Sequence, residues 1–226
     1  MDAEFLRSLV IAAIPVLIAI TFHEVAHGLV AYRFGDGTAK ALGRLTLNPV
    51  KHIDIFGTVI LPILLFFSTH GQFTFGYAKP VPVNPFNLRN PKRDMIYVSA
   101  AGPVMNILIA FISATLLVLL AWIELIVPQH VATKVLLPLA GMMNYGIIMN
   151  IYLAAFNLIP LVPLDGGRIL AGILPRELEM KYSRIEPYGM IILLFLIFLG
   201  LTRYFVAPVA GVLYGIIKVF MSVFLP

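Results

Sequence analysis

The sequence predicts an all-α polytopic membrane protein of about five transmembrane helices, with a re-entrant segment and short β-strand or hairpin pieces close to the first helix. Three observations lead to this prediction. Of 226 residues, 60% are hydrophobic and only 12% are charged, which is too apolar for a soluble domain. The apolar residues form long stretches, and the basic residues cluster between them. The whole chain, residues 1–226, is interpreted as one membrane-embedded domain.

Five apolar stretches are interpreted as spanning helices. They are residues 9–32, 95–123, 135–159, 188–201 and 205–224. The first stretch carries a polar motif, and the second and third belong to a unit, residues 95–165, that ends in another one. The last two form a C-terminal pair, residues 188–224.

The insert between the first two spanning helices, residues 36–94, has a different character. Glycines, partial alternation and the pair Asn48-Pro49 predict a short strand or hairpin over residues 35–49. Residues 53–68 are apolar but short, and residues 73–85 are extended and proline-rich, which only an edge strand or loop accepts. The chain's 17 glycines and 16 prolines favour broken backbone in a protected interior.

The distribution of Lys and Arg predicts the orientation. Twelve of the 16 basic residues lie in three loops, within residues 33–51, 79–93 and 168–184, which should therefore be cytoplasmic. If the first helix ends inside and the second begins inside, residues 53–68 must enter and leave by the same face. We therefore expect a multi-pass protein of the inner (cytoplasmic) membrane, with a re-entrant insert.

The pattern His23-Glu24-Val25-Ala26-His27 lies inside the first apolar stretch. A helix turns about 100° per residue, so His23 and His27 share one face and can hold one metal ion. Glu24 lies beside them and can take a proton from a water molecule, which is the chemistry of H-E-x-x-H zinc hydrolases. The alternative is two packed histidines and a surface glutamate. Unpartnered ionisable groups are costly at membrane depth, which favours a metal site.

A second polar motif follows the third spanning helix. Pro160 and Pro163 break that helix, so the carboxylate of Asp165 can turn back toward the bundle. Asp165 and His27 both precede cytoplasmic basic residues by a short distance, which places them at similar depth. Two histidines and one carboxylate are typical of catalytic zinc sites with one open position. In isolation, Asp165 could instead cap the next helix.

These motifs, together with Ala101-Gly102-Pro103-Val104-Met105-Asn106, resemble the site-2 protease family of intramembrane zinc metalloproteases. The resemblance is to the compact bacterial type without PDZ or CBS domains. It implies that His23, His27 and Asp165 bind one Zn²⁺ per chain and that Glu24 is the catalytic base. It also implies that Asn157 assists at the scissile carbonyl. The basic loops beside His27 and Asp165 predict that the active site faces the cytoplasm.

Two further residues are candidates for substrate binding. Asn106 is interpreted first as a helix–helix hydrogen-bonding residue, with a supporting role near the site as the second possibility. Gly76 belongs to the extended piece at residues 76–83, which, like the piece after the first helix, could pair with an unwound substrate as an added strand. The expected partners are a membrane protein with a transmembrane segment and the lipid bilayer. No nucleic-acid motif is present.

Two other functions remain open at this point. A metal transporter or metal-sensing membrane protein could use the same His23, His27 and Asp165 as a transit or sensing site. Glu24 and the scarcity of other ionisable residues in the spanning helices disfavour a transporter. An inactive scaffold that binds membrane segments is disfavoured because the ligands and the base are all present.

Overall fold

A computed structural model of the protein describes residues 3–68 and 76–226. Within those ranges the regular structure is helical throughout. The α-helices are α1 (Ala3–Arg33), α2 (Thr38–Ala41), α3 (Leu61–Ser68), α4 (Pro91–Glu124), α5 (Gln129–Val131), α6 (Leu137–Asn157), α7 (Asp165–Ile173), α8 (Arg176–Ser183), α9 (Glu186–Phe198) and α10 (Arg203–Phe224). Short 3₁₀ or π turns precede or join some of them. The prediction of an all-α polytopic membrane protein is confirmed.

Four helical segments of the described chain are long and apolar enough to cross a membrane. They are Val10–Arg33, Pro91–Glu124, Gln129–Asn157 and Arg203–Phe224. The predicted span at residues 188–201 corresponds to α9, an apolar helix of 13 residues. At 1.5 Å per residue it measures about 20 Å, short of the ~30 Å hydrocarbon core, so its crossing stays a prediction.

Helices α1, α4 and α6 form the part of the bundle that holds the polar motifs. Ala19 of α1 meets Asn106 of α4 and Asn106 meets Asn150 of α6. One layer further from the histidines, Gly146 of α6 packs against Ser113 of α4. Toward the histidines, the residue numbers therefore rise along α1 and α6 and fall along α4. Helices α1 and α6 therefore run parallel, and α4 runs antiparallel between them.

The predicted hairpin at residues 35–49 is wrong. In the described part of the chain this stretch contains the single-turn helix α2 and no strand. Gly35 and Gly43 adopt positive φ angles of 110° and 63°, which turn the chain on either side of α2. The alternation of apolar residues was only partial, and the glycines that suggested a hairpin instead serve these two turns.

The apolar piece at residues 53–68 forms one helical excursion, a π turn at Ile55–Ile60 continued by α3. The chain then returns beside its own starting point: Tyr77 N donates to Gly57 O at 3.0 Å, and Lys79 N donates to His52 O at 2.9 Å. The chain before this piece, at His52, and the chain after it, at Tyr77 and Lys79, therefore lie at the same end of the bundle, as a re-entrant segment requires. Part of the second predicted extended piece, residues 73–75, lies outside the described residues.

The remainder of that piece, residues 76–84, is extended but is not part of a sheet in the described chain. We call it the proline-rich segment, since it contains Pro80 and Pro82. Arg44 binds its carbonyl groups at residues 79 and 80. Asp36, fully buried, accepts a hydrogen bond from Asn84 N at 2.7 Å. These contacts fix the segment against the cytoplasmic end predicted for α1.

Candidate active site

The H-E-x-x-H motif lies in the last third of α1, where the helix faces the bundle interior. The side chains of His23 and His27 are buried, and their rings meet edge to face with centroids 4.7 Å apart. The α-helix alone creates this pairing, because residues four apart stand one turn above each other. The two predicted metal ligands are thus brought together.

The Nδ1 atom of each histidine has an oxygen partner on α4. His23 Nδ1 faces the side-chain oxygen of Asn106, and His27 Nδ1 lies 2.7 Å from the main-chain oxygen of Val98. A carbonyl oxygen only accepts hydrogen bonds, so both rings carry their proton on Nδ1. The Nε2 atom of each ring is left with a bare lone pair directed into the site.

Asp165 completes a triangle with these two nitrogens. Its Oδ2 atom lies 3.3 Å from His23 Nε2 and 3.3 Å from His27 Nε2, and the two Nε2 atoms are 3.1 Å apart. Asp165 is the first residue of α7, whose N-cap, Leu164, makes no side-chain capping bond. The carboxylate therefore faces the histidines and does not serve as the helix cap that its sequence position also allowed.

The donor set fits a zinc ion. A tetrahedral Zn²⁺ with ligand distances of about 2.0–2.1 Å holds neighbouring donor atoms about 3.3 Å apart, which matches the triangle. Asp165 Oδ2 is buried and has no hydrogen-bond partner in the part of the chain that the structure describes. Two nitrogen lone pairs and a carboxylate oxygen so close together repel one another unless a cation lies between them. His23, His27 and Asp165 form the one cluster of this kind in the described ranges.

Gly102 of α4 lies directly over the two imidazole rings. A Cβ atom at this position would stand 2.4 Å from His27 Nε2 and 2.5 Å from His23 Cε1. Real Cβ atoms do not approach other atoms so closely. The absence of a side chain at residue 102 therefore creates the space in which the metal-facing atoms lie.

Glu24 faces the cavity next to this triangle. One oxygen of its carboxylate, Oε2, accepts a hydrogen bond of 2.6 Å from the backbone amide of Val81 in the proline-rich segment. The cavity is bounded by α1, α4, the segment before α7, and the proline-rich segment. Besides the three ligand candidates and Glu24, it is lined by Pro80, Val81, Val83, Val98, Ser99, Asn157, Pro163 and Arg168.

Comparison with known proteins identifies this arrangement. The family model of peptidase family M50 matches residues 11–140 and 123–200. The chain belongs to peptidase family M50. This membership confirms the resemblance to site-2 proteases and the expectation of an enzyme, a zinc metalloprotease.

Relatives of this M50 peptidase are bacterial and archaeal. The protein YwhC of Bacillus subtilis, whose name describes a candidate zinc metalloprotease, is 38% identical over 94% of this chain and 92% of its own length. The Rip2 protein of Mycobacterium tuberculosis, named in the same way, is 28% identical over 80% of this chain and 63% of its own length. The zinc metalloprotease MJ0392 of Methanocaldococcus jannaschii is 23% identical over 80% of this chain and 41% of its own length. No solved structure matches the chain.

In this M50 peptidase, the other predicted site residues, Asn157, Asn106 and Gly76, differ in their position relative to the cavity. Asn157, the last residue of α6, lines the cavity, and its Nδ2 donates to Leu153 O one turn earlier. Asn106 is fully buried behind His23 and does not line the cavity. Gly76 lies at the start of the proline-rich segment, outside the cavity lining. Substrate contacts by Asn106 and Gly76 stay predictions.

Asp165 is held by close backbone packing of the loop before it. Cβ atoms at Gly166 and Gly167 would stand 2.3 Å from backbone atoms of residues 158 and 161, and one at Gly189 would stand 2.0 Å from Val162 O. The hydroxyl group of Tyr182 accepts from Val162 N and donates to Pro160 O, each at 3.2 Å. Helices α7, α8 and α9 thus clamp the loop that delivers the carboxylate.

Sequence reasoning missed two polar residues of the site. Ser99 lines the cavity; its side chain is 2% exposed, and its hydroxyl has no partner in the described chain. Asn150 is fully buried beside Asn106. A signal existed, since Ser99, Gly102 and Asn106 recur at helical spacing along one face of α4, and Asn150 lies two turns before Asn157.

Proposed function

We propose that this M50 peptidase is a zinc endopeptidase that cuts peptide bonds in or near the transmembrane segments of other membrane proteins. The observation that carries the proposal is the convergence of His23 Nε2, His27 Nε2 and Asp165 Oδ2, with the carboxylate of Glu24 beside them. The reaction would belong to regulated intramembrane proteolysis. One Zn²⁺ per chain is the expected cofactor.

Three groups share the proposed chemistry. Zinc at this site supplies a Lewis acid for the scissile carbonyl and the attacking water. Glu24 takes the proton of that water through the oxygen that Val81 does not occupy, and passes it to the leaving amine. Asn157 lines the cavity, and we expect its amide to exchange its bond to Leu153 for one to the developing oxyanion.

A helical substrate must unwind before it can react, because its carbonyls are bound within the helix. The proline-rich segment borders the cavity and is already extended, so an unwound substrate can lie alongside it. Pro80 and Pro82 have no N–H groups, and the N–H of Val81 is bound to Glu24. We therefore expect the substrate to supply most of the donors in this pairing and the segment its free carbonyl groups.

The location follows from the same charges that predicted the orientation. Most of the basic residues lie in the segments that follow α1, precede α4 and include α7 and α8, and these segments adjoin the end of the bundle that holds the metal-facing atoms. Under the positive-inside rule this end is cytoplasmic. The site would thus open near the cytoplasmic face of the inner membrane and meet its substrates through the bilayer.

Purified protein in detergent provides the test. Metal analysis should find one zinc per chain, and the protein should cleave some members of a panel of single-span membrane proteins. Chelation should stop cleavage and added zinc should restore it. A protein with bound zinc that cleaves no member of the panel, including variants with helix-breaking residues in the span, would contradict the intramembrane substrate class.

A further inference from the structure

We propose that Asn150 is a positioning residue for the metal site: it orients the amide of Asn106, which in turn holds His23 in the tautomer that presents Nε2 to the metal. This inference rests on the proposed zinc site. It concerns a connected set of hydrogen bonds behind the site, from the backbone of α6 through α4 to α1.

The hydrogen bonds form a continuous series between buried side chains. Asn150 Nδ2 donates to Gly146 O at 2.8 Å, and Asn106 Nδ2 donates to Asn150 Oδ1 at 2.8 Å. Asn106 Nδ2 also lies 3.3 Å from Ala19 O, and Asn106 Oδ1 accepts from His23 Nδ1. Both asparagines are fully buried. No water is needed to complete the network.

The direction of the network follows from its backbone anchors. Gly146 O and Ala19 O are carbonyl oxygens and can only accept. The group of Asn150 that faces Gly146 must therefore be its NH₂ group, which turns its oxygen toward Asn106. The group of Asn106 that faces both this oxygen and Ala19 must also be NH₂. Only the Asn106 oxygen is left for His23, so the His23 ring carries its proton on Nδ1.

Asn150 matters because Asn106 could otherwise rotate. Without Asn150, a rotated Asn106 amide would lose only the longer bond to Ala19, and it would present NH₂ to His23 Nδ1. That arrangement favours the proton on Nε2, where it blocks metal binding. His27 needs no such partner, since its Nδ1 faces the main-chain oxygen of Val98, which cannot rotate. Partners behind a metal ligand typically change affinity 10- to 100-fold when they are removed.

The first test compares Asn150→Leu with Asn144→Leu. Asn144 is an exposed residue of the same helix outside the network, so its replacement controls for the loss of an amide from α6. Nitrogen NMR of ¹⁵N-histidine-labelled, metal-free protein reports which ring nitrogen of His23 carries the proton, with the signal assigned through His23→Gln. Zinc affinity is measured by competition with a chelator.

The expected result for Asn150→Leu is a shift of the His23 proton toward Nε2 and a zinc affinity lower by about 10- to 100-fold, with no change for Asn144→Leu. If Asn150→Leu lowers thermal stability but leaves both the His23 tautomer and the zinc affinity unchanged, the asparagines serve only in helix packing and the proposal is overturned.

Asn106→Asp and Asn106→Leu give a second test that does not depend on how well Asn150→Leu folds. Both carboxylate oxygens of aspartate only accept, so this variant keeps an acceptor for His23 in either orientation although it loses the bonds to Asn150 and Ala19, whereas leucine keeps only the volume. We expect Asn106→Asp to retain the proton on Nδ1, and Asn106→Leu to lose this preference and to bind zinc more weakly. Loss of the Nδ1 proton in Asn106→Asp would overturn the proposal. Because the tautomer is read without metal, failure of this inference is distinguishable from failure of the protein to bind zinc.

Discussion

The carboxylate of Glu24 accepts a hydrogen bond from the backbone N–H of Val81, 57 positions later in the chain, at 2.6 Å. A charge-assisted bond of this kind fixes the orientation of the carboxylate. It also ties the proline-rich segment to the proposed catalytic base. Glu24 is thus held by the segment along which we propose that the substrate lies, and its second oxygen is left for a water molecule.

Glu24→Gln should lower proteolysis by about 10²- to 10⁴-fold, because the variant lacks a proton acceptor. Zinc should remain bound, since Glu24 is outside the ligand triangle. Glutamine can still accept from Val81 through its side-chain oxygen, so the segment should keep its place. Metal content and cleavage rate are measured on the same preparation. If zinc disappears together with activity, Glu24 is a ligand and its assignment as the base is wrong.

Asp165→Ala should lower zinc affinity by more than about 100-fold, because a direct ligand contributes more than the supporting partners, whose loss costs 10- to 100-fold. It leaves a site of two histidines. Titration of zinc against a competing chelator measures the change. Arg168→Ala, three residues further along α7 and at the edge of the same cavity, is the control and should keep the zinc. Equal affinity in wild type and Asp165→Ala would remove this residue from the ligand set.

Gly102→Ala should prevent normal zinc binding although the change is one methyl group. The new Cβ would stand 2.4 Å from His27 Nε2, so the rings or α4 must move. Gly211→Ala on α10 is the matched control, because no atom lies within 4 Å of its Cβ position and alanine favours helix. We expect zinc loss in the first variant only. Full zinc occupancy in Gly102→Ala would show that the site is wider than the structure indicates.

Asp36 should make stability depend on pH. Its burial acts to raise its pKa, but hydrogen bonds from Thr38, Asn84 and Asn87 outweigh this and lower the pKa below its usual value. A carboxylate with a lowered folded-state pKa stabilises the fold above its unfolded-state pKa of about 4, and this stability is lost as pH falls through the folded-state value.

The Asp36→Asn variant isolates that contribution. At pH 7 it should melt at a lower Tm than wild type, by about 2–4 °C for each kcal/mol lost in a protein of this size. The difference should shrink as the pH is lowered below about 4, where the wild-type carboxylate gains its proton. Thermal unfolding in detergent between pH 3 and pH 7 checks both points. A difference that is constant with pH would show that the charge of Asp36 does not stabilise the fold.

Part of the site could be predicted from local properties of the sequence alone. The helix spacing of His23 and His27 is a property of any α-helix, and the break at Pro160 and Pro163 is encoded in proline itself. The meeting of His23 and His27 with Asp165 could be predicted only by a further argument, that His27 and Asp165 lie at similar depth in the membrane. The structure brings the three side chains together. Asn106 could be anticipated only as a helix-packing residue or as one that supports the site, because the sequence does not say which faces of α1 and α4 meet.

Other features had a weak signal in the sequence or none. The contact between Glu24 and Val81 is made by a backbone N–H, so no side chain marks it. The expected hairpin was wrong because the glycines of this stretch do not join two strands: the positive φ angles of Gly35 and Gly43 turn the chain on either side of α2. Asn150 carries no motif of its own. Its importance depends on Gly146 O and Asn106, which belong to different turns and different helices.

The topology that charge and site geometry predict differs from the topology that hydropathy alone predicts. If residues 53–68 are counted as a crossing, the chain has six spans. The starts of α4 and α7 then both lie on the side of the membrane opposite the end of α1. The structure contradicts that count, because His27 of α1, Val98 near the start of α4 and Asp165 at the start of α7 meet at one site. The return of the chain from Ser68 to Lys79, beside His52, agrees with a re-entrant insert.

We therefore predict five crossings, with an external N-terminus, a cytoplasmic C-terminus and α9 as the fourth span. The chain has no cysteine, so single cysteines report position directly. Asn90 directly precedes α4, Gln129 begins α5 beyond the other end of α4, and Ser183 ends α8 after the site; all three are exposed. In intact cells an impermeant thiol reagent should label Gln129→Cys, whereas Asn90→Cys and Ser183→Cys should react only after permeabilisation. Labelling of Asn90→Cys from outside would reverse the orientation and place the site at the external face.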